Sequence, residues 1–169
     1  MSREYQVEID EISKFIAPLT VGFIAAYFGS LLALRKFKRE KIWDERRSTY
    51  KEVIESFEEI IFWCEYVRAS HCCEPVIESD VDFDSSLRKI ARHSVSGGLF
   101  SSAKFQEVLE QAHTELYRVR FQVNEESMPD LDTDRGRDEW LFILSKEIRD
   151  VSKKYLDQLI KLAKDELPK

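Results

Sequence analysis

The sequence predicts an all-α chain: one N-terminal transmembrane helix continuing into an antiparallel cytoplasmic helical bundle of three long helices and one short one. Three observations predict it. Residues 15–34 form an uncharged apolar run. Beyond it, apolar side chains recur at steps of three and four, the period of a helix. The charge falls into three regimes. Residues 1–14 carry two basic and four acidic side chains, residues 35–51 sum to +5 and residues 52–169 to -9, in a 169-residue chain of net charge -6. No segment alternates as a strand would, and there is no internal repeat or low-complexity tract.

The apolar run, FIAPLTVGFIAAYFGSLLAL, has twenty residues. As a helix it rises about 30 Å, the hydrocarbon thickness of a bilayer. A lone segment in lipid must satisfy its own backbone groups, and a helix does so. Pro18 falls in the first turn of such a helix, where its missing N–H costs little. A cleavable signal peptide would have a basic start and a shorter apolar core. Here the start is acidic, the core is long and Arg35 follows directly. Residues 1–14 are expected to be an extracytoplasmic tail too short to fold, residues 15–34 the span, and residues 35–169 a cytoplasmic helical domain.

Arg35, Lys36, Lys38, Arg39 and Lys41 crowd the C-terminal end of the run, against Arg3 and Lys14 before it. The positive-inside rule therefore predicts a single-pass protein of the inner (cytoplasmic) membrane, N-terminus out and C-terminus in the cytoplasm. The same five cations can meet anionic lipid head groups. Within the run, Gly22, Ala26 and Ser30 are spaced by four, as are Ala25, Gly29 and Ala33. Both rows lie on one side of a helix, a strip on which another helix can approach closely.

The first soluble helix is expected to continue straight from the span. No Gly or Pro lies between Ser30 and Cys73, and Pro75 ends it. Its stripe is Trp43, Tyr50, Val53, Ile54, Phe57, Ile60, Ile61, Cys64 and Val67. Some of its i,i+4 neighbours, Glu40 with Asp44 and Arg47 with Lys51, are like-charged, so apolar burial must supply most of its stability. A short helix capped by Asp84 or Ser85 runs to about Val95 with Leu87, Ile90 and Ala91 inward, and Gly97 and Gly98 stop it. A third helix starts near Ser101 or Ser102, with Phe105, Val108, Leu109, Ala112, Leu116, Val119 and Val123 on one face, and fades at residues 125–127. After a turn over residues 129–136, the last helix runs from about Arg137 to Glu166 on Leu141, Leu144, Ile148, Val151, Tyr155, Leu159 and Leu162. Such helices joined by modest loops make an antiparallel bundle.

The candidate sites are few. Cys64, Cys72 and Cys73 are an odd number, which suits free thiols in a reducing cytoplasm rather than a disulfide framework. His71 beside the adjacent Cys72 and Cys73 chelates zinc poorly, because structural sites space their paired cysteines. Glu110 and His113 have the Glu-x-x-His spacing of di-iron bundles, but no second pair exists. His113-Thr-Glu115 lacks the Pro-Cys-x-x-Cys half of a deaminase signature. Asp130, Asp132 and Asp134 approach a calcium loop, with Arg135 where its glycine belongs. Ser101-Ser-Ala-Lys104 matches Ser-x-x-Lys without its companion motifs. The expectation is therefore no catalytic, cofactor-binding or metal residue, no cofactor and no enzyme. The acidic bulk argues against a nucleic-acid partner.

The span followed by Arg39-Glu40-Lys41-Ile-Trp43-Asp-Glu-Arg46-Arg-Ser-Thr-Tyr50 resembles small bacterial single-pass membrane proteins of uncharacterised function with a basic juxtamembrane helix. The resemblance covers about residues 15–60. Some proteins of this build look like membrane effectors in antiphage defence, so the resemblance implies a membrane role and assigns no site residue. The sequence leads to the expectation of a membrane-anchored interaction module that works by self-association or by docking another membrane or cytoplasmic protein. The alternative is a membrane-acting effector or toxin triggered through its cytoplasmic domain.

Overall fold

The structure, a computed structural model, describes the backbone of residues 3–76, 82–126 and 132–166, and the side chains of residues 20–76, 82–121 and 132–166. It is all-helical, 92% helix, with no strand among the described residues. Among the described residues four α-helices follow in order: α1 (Arg3–His71), α2 (Phe83–Ser96), α3 (Ala103–Glu126) and α4 (Asp134–Glu166), with a 3-10 turn at Gly97–Leu99. The chain divides into two compact units, Met1–Asp44 and Glu45–Lys169.

In the first unit, α1 already begins at Arg3, which corrects the expectation that residues 1–14 are too short to fold. Glu, Gln, Lys and Ile are adequate helix formers. Adding residues to an existing helix avoids the costly nucleation step. Pro18 consequently lies inside the helix rather than in its first turn, and the carbonyl of Lys14 loses its i+4 donor.

The second unit has one core, drawn from all four helices. From α1 come Tyr50, Val53, Phe57, Ile60 and Cys64; from α2, Phe83, Leu87 and Ile90; from α3, Phe105, Leu109, Ala112, Leu116 and Val119; from α4, Leu144, Ile148, Tyr155, Leu159 and Ala163. Ile54, Val108, Val151 and Leu162 are half-buried at its rim, where the expected stripes bend away from the core. Val123 lies outside the described side chains. Aromatic pairs join the elements: Tyr50 stacks on Phe105 with centroids 4.0 Å apart, and Trp63 on Phe83 at 4.5 Å. The exposed face of α1 also carries the opposite-charge pairs Lys36–Glu40 and Lys51–Glu55, each contributing a few tenths of a kcal/mol.

The helix ends have identifiable causes. α1 stops at His71, before Pro75 is reached. Glu74 N–H donates to Ala69 O (2.9 Å) and Cys73 N–H to Ser70 O (3.1 Å), with Cys73 left-handed at φ 55°. That is a Schellman motif with cysteine where glycine is usual. α2 is capped by Asp82, not by Asp84 or Ser85; its carboxylate accepts from Asp84 N–H at 3.1 Å. The earlier start brings Phe83 into the core against Trp63. Gly97 has ordinary right-handed φ -65°. Its role is space, because a Cβ there would meet Gln106 Oε1 at 3.2 Å. Ser102 caps α3, accepting from Phe105 N–H at 3.1 Å, and Thr133 caps α4, accepting from Gly136 N–H at 3.1 Å.

Candidate functional site

The residues singled out by sequence lie on α1 of the first unit. Gly22, Ala25, Ala26, Gly29, Ser30 and Ala33 are all exposed. A Cβ added at Gly22 or Gly29 would meet nothing within 4 Å, so the strip is open. The Ser30 hydroxyl donates to the carbonyl of Tyr27 at 2.8 Å, so its polarity is satisfied within its own helix. The surrounding apolar side chains are uncovered too, Phe23 being 76% exposed and Leu32 65%. By length and composition this helix suffices to cross a membrane, and none of its apolar window is buried. Arg35, Lys36, Lys38, Arg39 and Lys41 are exposed immediately after it.

In the second unit, polar clamps join the helices around the core. At the end where the chain comes in from the apolar run, the Tyr50 and Ser102 hydroxyls both donate to the Glu166 carboxylate, and Ser102 N–H donates to Tyr50 Oη at 3.2 Å. Burial and the Glu166 carboxylate push the Tyr50 phenol up. Between α1 and α2, Glu59 accepts from Ser86 Oγ (2.6 Å) and Lys89 Nζ (3.0 Å). Between α3 and α4, Glu115 accepts from Tyr155 Oη (2.5 Å) and Lys154 Nζ (3.0 Å). Glu65 on α1 meets Arg149 on α4 at 3.4 Å.

These clamps depress carboxyl pKa values. The Ser86 hydroxyl chiefly lowers Glu59, the Arg68 guanidinium Glu65 and the Tyr155 phenol Glu115. Burial lowers the His113 imidazole. In each case the folded pKa lies below the unfolded one, so the stabilisation is present above the unfolded value and lost as pH falls. Resistance of the helices to urea is therefore expected to weaken first as pH falls through about 6.5, where His113 titrates in the unfolded chain, and more steeply below about 4.5. An unfolding midpoint unchanged down to about pH 3 would contradict the clamps.

The sequence-derived metal candidates are not brought together. Cys64 is buried; Cys72 and Cys73 are exposed beyond the end of α1. His71 is engaged elsewhere, with Nδ1 2.8 Å from Asp138 Oδ2 and its ring stacked on Phe142. Glu110 is exposed, and His113 Nε2 is buried without a hydrogen-bond partner. Asp130 lies outside the described residues. Among the described residues, no three His, Cys, Asp or Glu side chains form a metal-holding group.

The surface of this unit carries hollows at α3 and at the α1–α4 side chains around Cys64. An open groove of about 500 Å³ includes Glu107, Glu110, Glu115, Arg118 and Tyr155. A second, about 280 Å³, is lined by Cys64, Arg68, Phe142, Ser145, Lys146 and Arg149. Burial pushes the Cys64 thiol up to about 12, so it stays protonated and a poor nucleophile at neutral pH. Arg68 and Arg149 are already paired with Glu65, Glu74 and Asp150.

Sequence periodicity missed one surface feature, the apolar turn between α2 and α3. Val95 is 85% exposed, Leu99 81% and Phe100 38%. The glycines there read only as a helix stop.

The described residues are all-helical, and among them one helix is long and apolar enough to cross a membrane. No protein family, curated protein or solved structure matches the chain.

Proposed function

We propose that residues 15–34 cross the inner (cytoplasmic) membrane once, with the N-terminal side outside. Residues 35–169 then lie in the cytoplasm, where α1 to α4 form an antiparallel bundle. The protein acts by self-association or by docking a partner protein, not by catalysis, and no cofactor or nucleic acid takes part. The observation that carries this reading is the apolar run of α1 over residues 20–34, none of it buried. In water that surface would cost about 25 cal/mol per Å², and a bilayer removes the cost. The cation cluster Arg35–Lys41 supports the orientation and a contact with anionic head groups.

Fusion reporters after Lys169 test the topology. Green fluorescent protein there is expected to fluoresce and alkaline phosphatase to be inactive, with the chain retained in carbonate-washed membranes. An active phosphatase would reverse the orientation; release by carbonate would remove the span.

The open strip from Gly22 to Ala33 also favours a second reading, a membrane-acting effector triggered through its cytoplasmic domain. Close helix packing in the bilayer would assemble it. Loss of membrane potential on triggered expression, abolished by Gly22→Ile with Gly29→Ile, would support it. An unchanged potential in triggered cells would count against it.

A further inference from the structure

The geometry points to the hollow between α1 and α4 as a binding site for a small organic carboxylate with an aromatic or aliphatic body. The charged end of the ligand meets Lys146 and Arg149, and its body lies against Phe142 and Cys64. The site belongs wholly to the second unit and does not depend on the proposed span.

The hollow measures about 280 Å³, just below the range of about 300–1,000 Å³ that takes drug-sized ligands. It therefore suits a smaller molecule. Its floor is neutral and asks for no polar partner. Cys64 is 1% exposed and Ser145 2%. Burial keeps the Cys64 thiol protonated, and the Ser145 hydroxyl already donates to Phe142 O at 2.8 Å. An apolar body laid over them strands no hydrogen-bonding group. Phe142 supplies an aromatic wall that is held in place. Its ring stacks on His71 with centroids 4.2 Å apart, and His71 Nδ1 lies 2.8 Å from Asp138 Oδ2. Glu65 ties α1 to α4 through Arg149 at 3.4 Å. The wall is fixed by these contacts, so a ligand has few side chains left to order.

The cations around the hollow are unequally satisfied. Arg68 is fully engaged: Nε donates to Glu65 at 2.9 Å, and Nη1 and Nη2 donate to Glu74 at 3.2 and 2.9 Å. Arg149 directs Nε to Asp150 and Nη1 to Glu65, each at 3.4 Å, and keeps Nη2 without a partner among the described residues. Lys146 is exposed and forms no ion pair or hydrogen bond with the described residues. Residues 52–169 sum to -9, so a lysine without an acidic partner runs against its surroundings. Lys146 and Arg149 are three residues apart on α4, which puts them on one face of the helix. No Asp or Glu is among the side chains that line the hollow. Glu65, Glu74 and Asp150 balance Arg68, Arg149 and Lys153, and Lys146 is left as the surplus charge. One surplus charge matches a carboxylate better than a phosphate dianion. The two carboxylate oxygens can take one N–H from the guanidinium and one from the ammonium, and such charge-assisted bonds are the strong ones.

The test uses the full chain in a non-ionic detergent at neutral pH, with a ring-fluorinated phenylpropionate followed by fluorine NMR. One saturable site per chain is expected. Lys146→Gln should weaken it about tenfold or more, the value of a lost charge-assisted hydrogen bond. Lys146 is exposed and unpaired, so the fold should tolerate the change. Lys161→Gln alters the net charge equally at another exposed position of α4 and should leave the affinity unchanged. No saturable binding at millimolar ligand would overturn the site. So would equal affinities in the parent and Lys146→Gln, which would put the ligand elsewhere. Equal binding of the neutral fluorinated phenylpropanol would reduce the signal to apolar partitioning and overturn it as well. Displacement by acetate or inorganic phosphate as effective as that by unlabelled phenylpropionate would make the hollow a bare-anion site and overturn the ligand class. None of these readouts depends on crossing a bilayer. Failure of the site therefore leaves the span standing, and failure of the span in the fusion reporters leaves the site standing.

Discussion

Phe23→Arg combined with Ile24→Arg is expected to release the chain from the membrane. Two arginines at the centre of a spanning helix cost about 5–7 kcal/mol on the insertion scale. The ten Phe, Ile, Leu and Val residues of the run supply only about 3–6 kcal/mol on that scale, and the double variant also removes two of them. The balance therefore changes sign, and the protein should move from the carbonate-resistant pellet to the supernatant. Phe62→Arg with Tyr66→Arg, at exposed positions of the second unit, is the matched control and should stay in the pellet. Equal retention of the two variants would mean that the apolar run is not the anchor.

Phe105→Ala is expected to be the most damaging single truncation in the second unit. Phe105 is fully buried and stacks on Tyr50, whose hydroxyl reaches Glu166. Deleting a buried phenylalanine costs about 3–5 kcal/mol, and loss of the stacked pair accounts for about 0.5–1.5 kcal/mol of specific interaction. Against a total of about 5–15 kcal/mol, that is about a fifth or more. Thermal unfolding of the full chain in detergent, followed by helical circular dichroism, should drop on the order of 10 °C or more. Phe121→Ala, at a residue 59% exposed, should stay within about 0.5 kcal/mol of the parent. Equal losses at the two sites would refute the core assignment.

Much of this fold was legible because apolar side chains keep helical period. Phe57, Ile60, Leu144 and Ile148 were expected inside and are inside. The misses have separate physical causes. Thr49, Ser56, Ser94 and Ser145 are buried, yet counting apolar residues passes over them. Each returns its hydroxyl to a carbonyl of its own helix, as Ser56 does to Glu52 O at 2.7 Å, so burial leaves no polar group unsatisfied. Ser152 is also buried, and its hydroxyl has no partner, for which we have no physical account. The cap at Asp82 was missed because an acidic, irregular stretch offers several cap residues, and only the burial of Phe83 selects among them. The start of α1 was missed because a short segment is judged alone, whereas here it extends a helix already formed. The Tyr50–Ser102–Glu166 cluster could not be read at all: its members lie up to 116 positions apart, and no local pattern connects them.

That separation has a consequence for biosynthesis. At about 5–20 residues per second, the ribosome needs roughly 6–23 s to travel from Tyr50 to Glu166. Until α4 is complete, the core that Phe57 and Ile60 share with it stays unfinished. A span that inserts as it emerges would hold nascent chains on one polysome side by side, each with its first stripe bare. Exchange of α4 between neighbouring chains is then the misassembly this topology invites, and slower translation of the final helix should increase it.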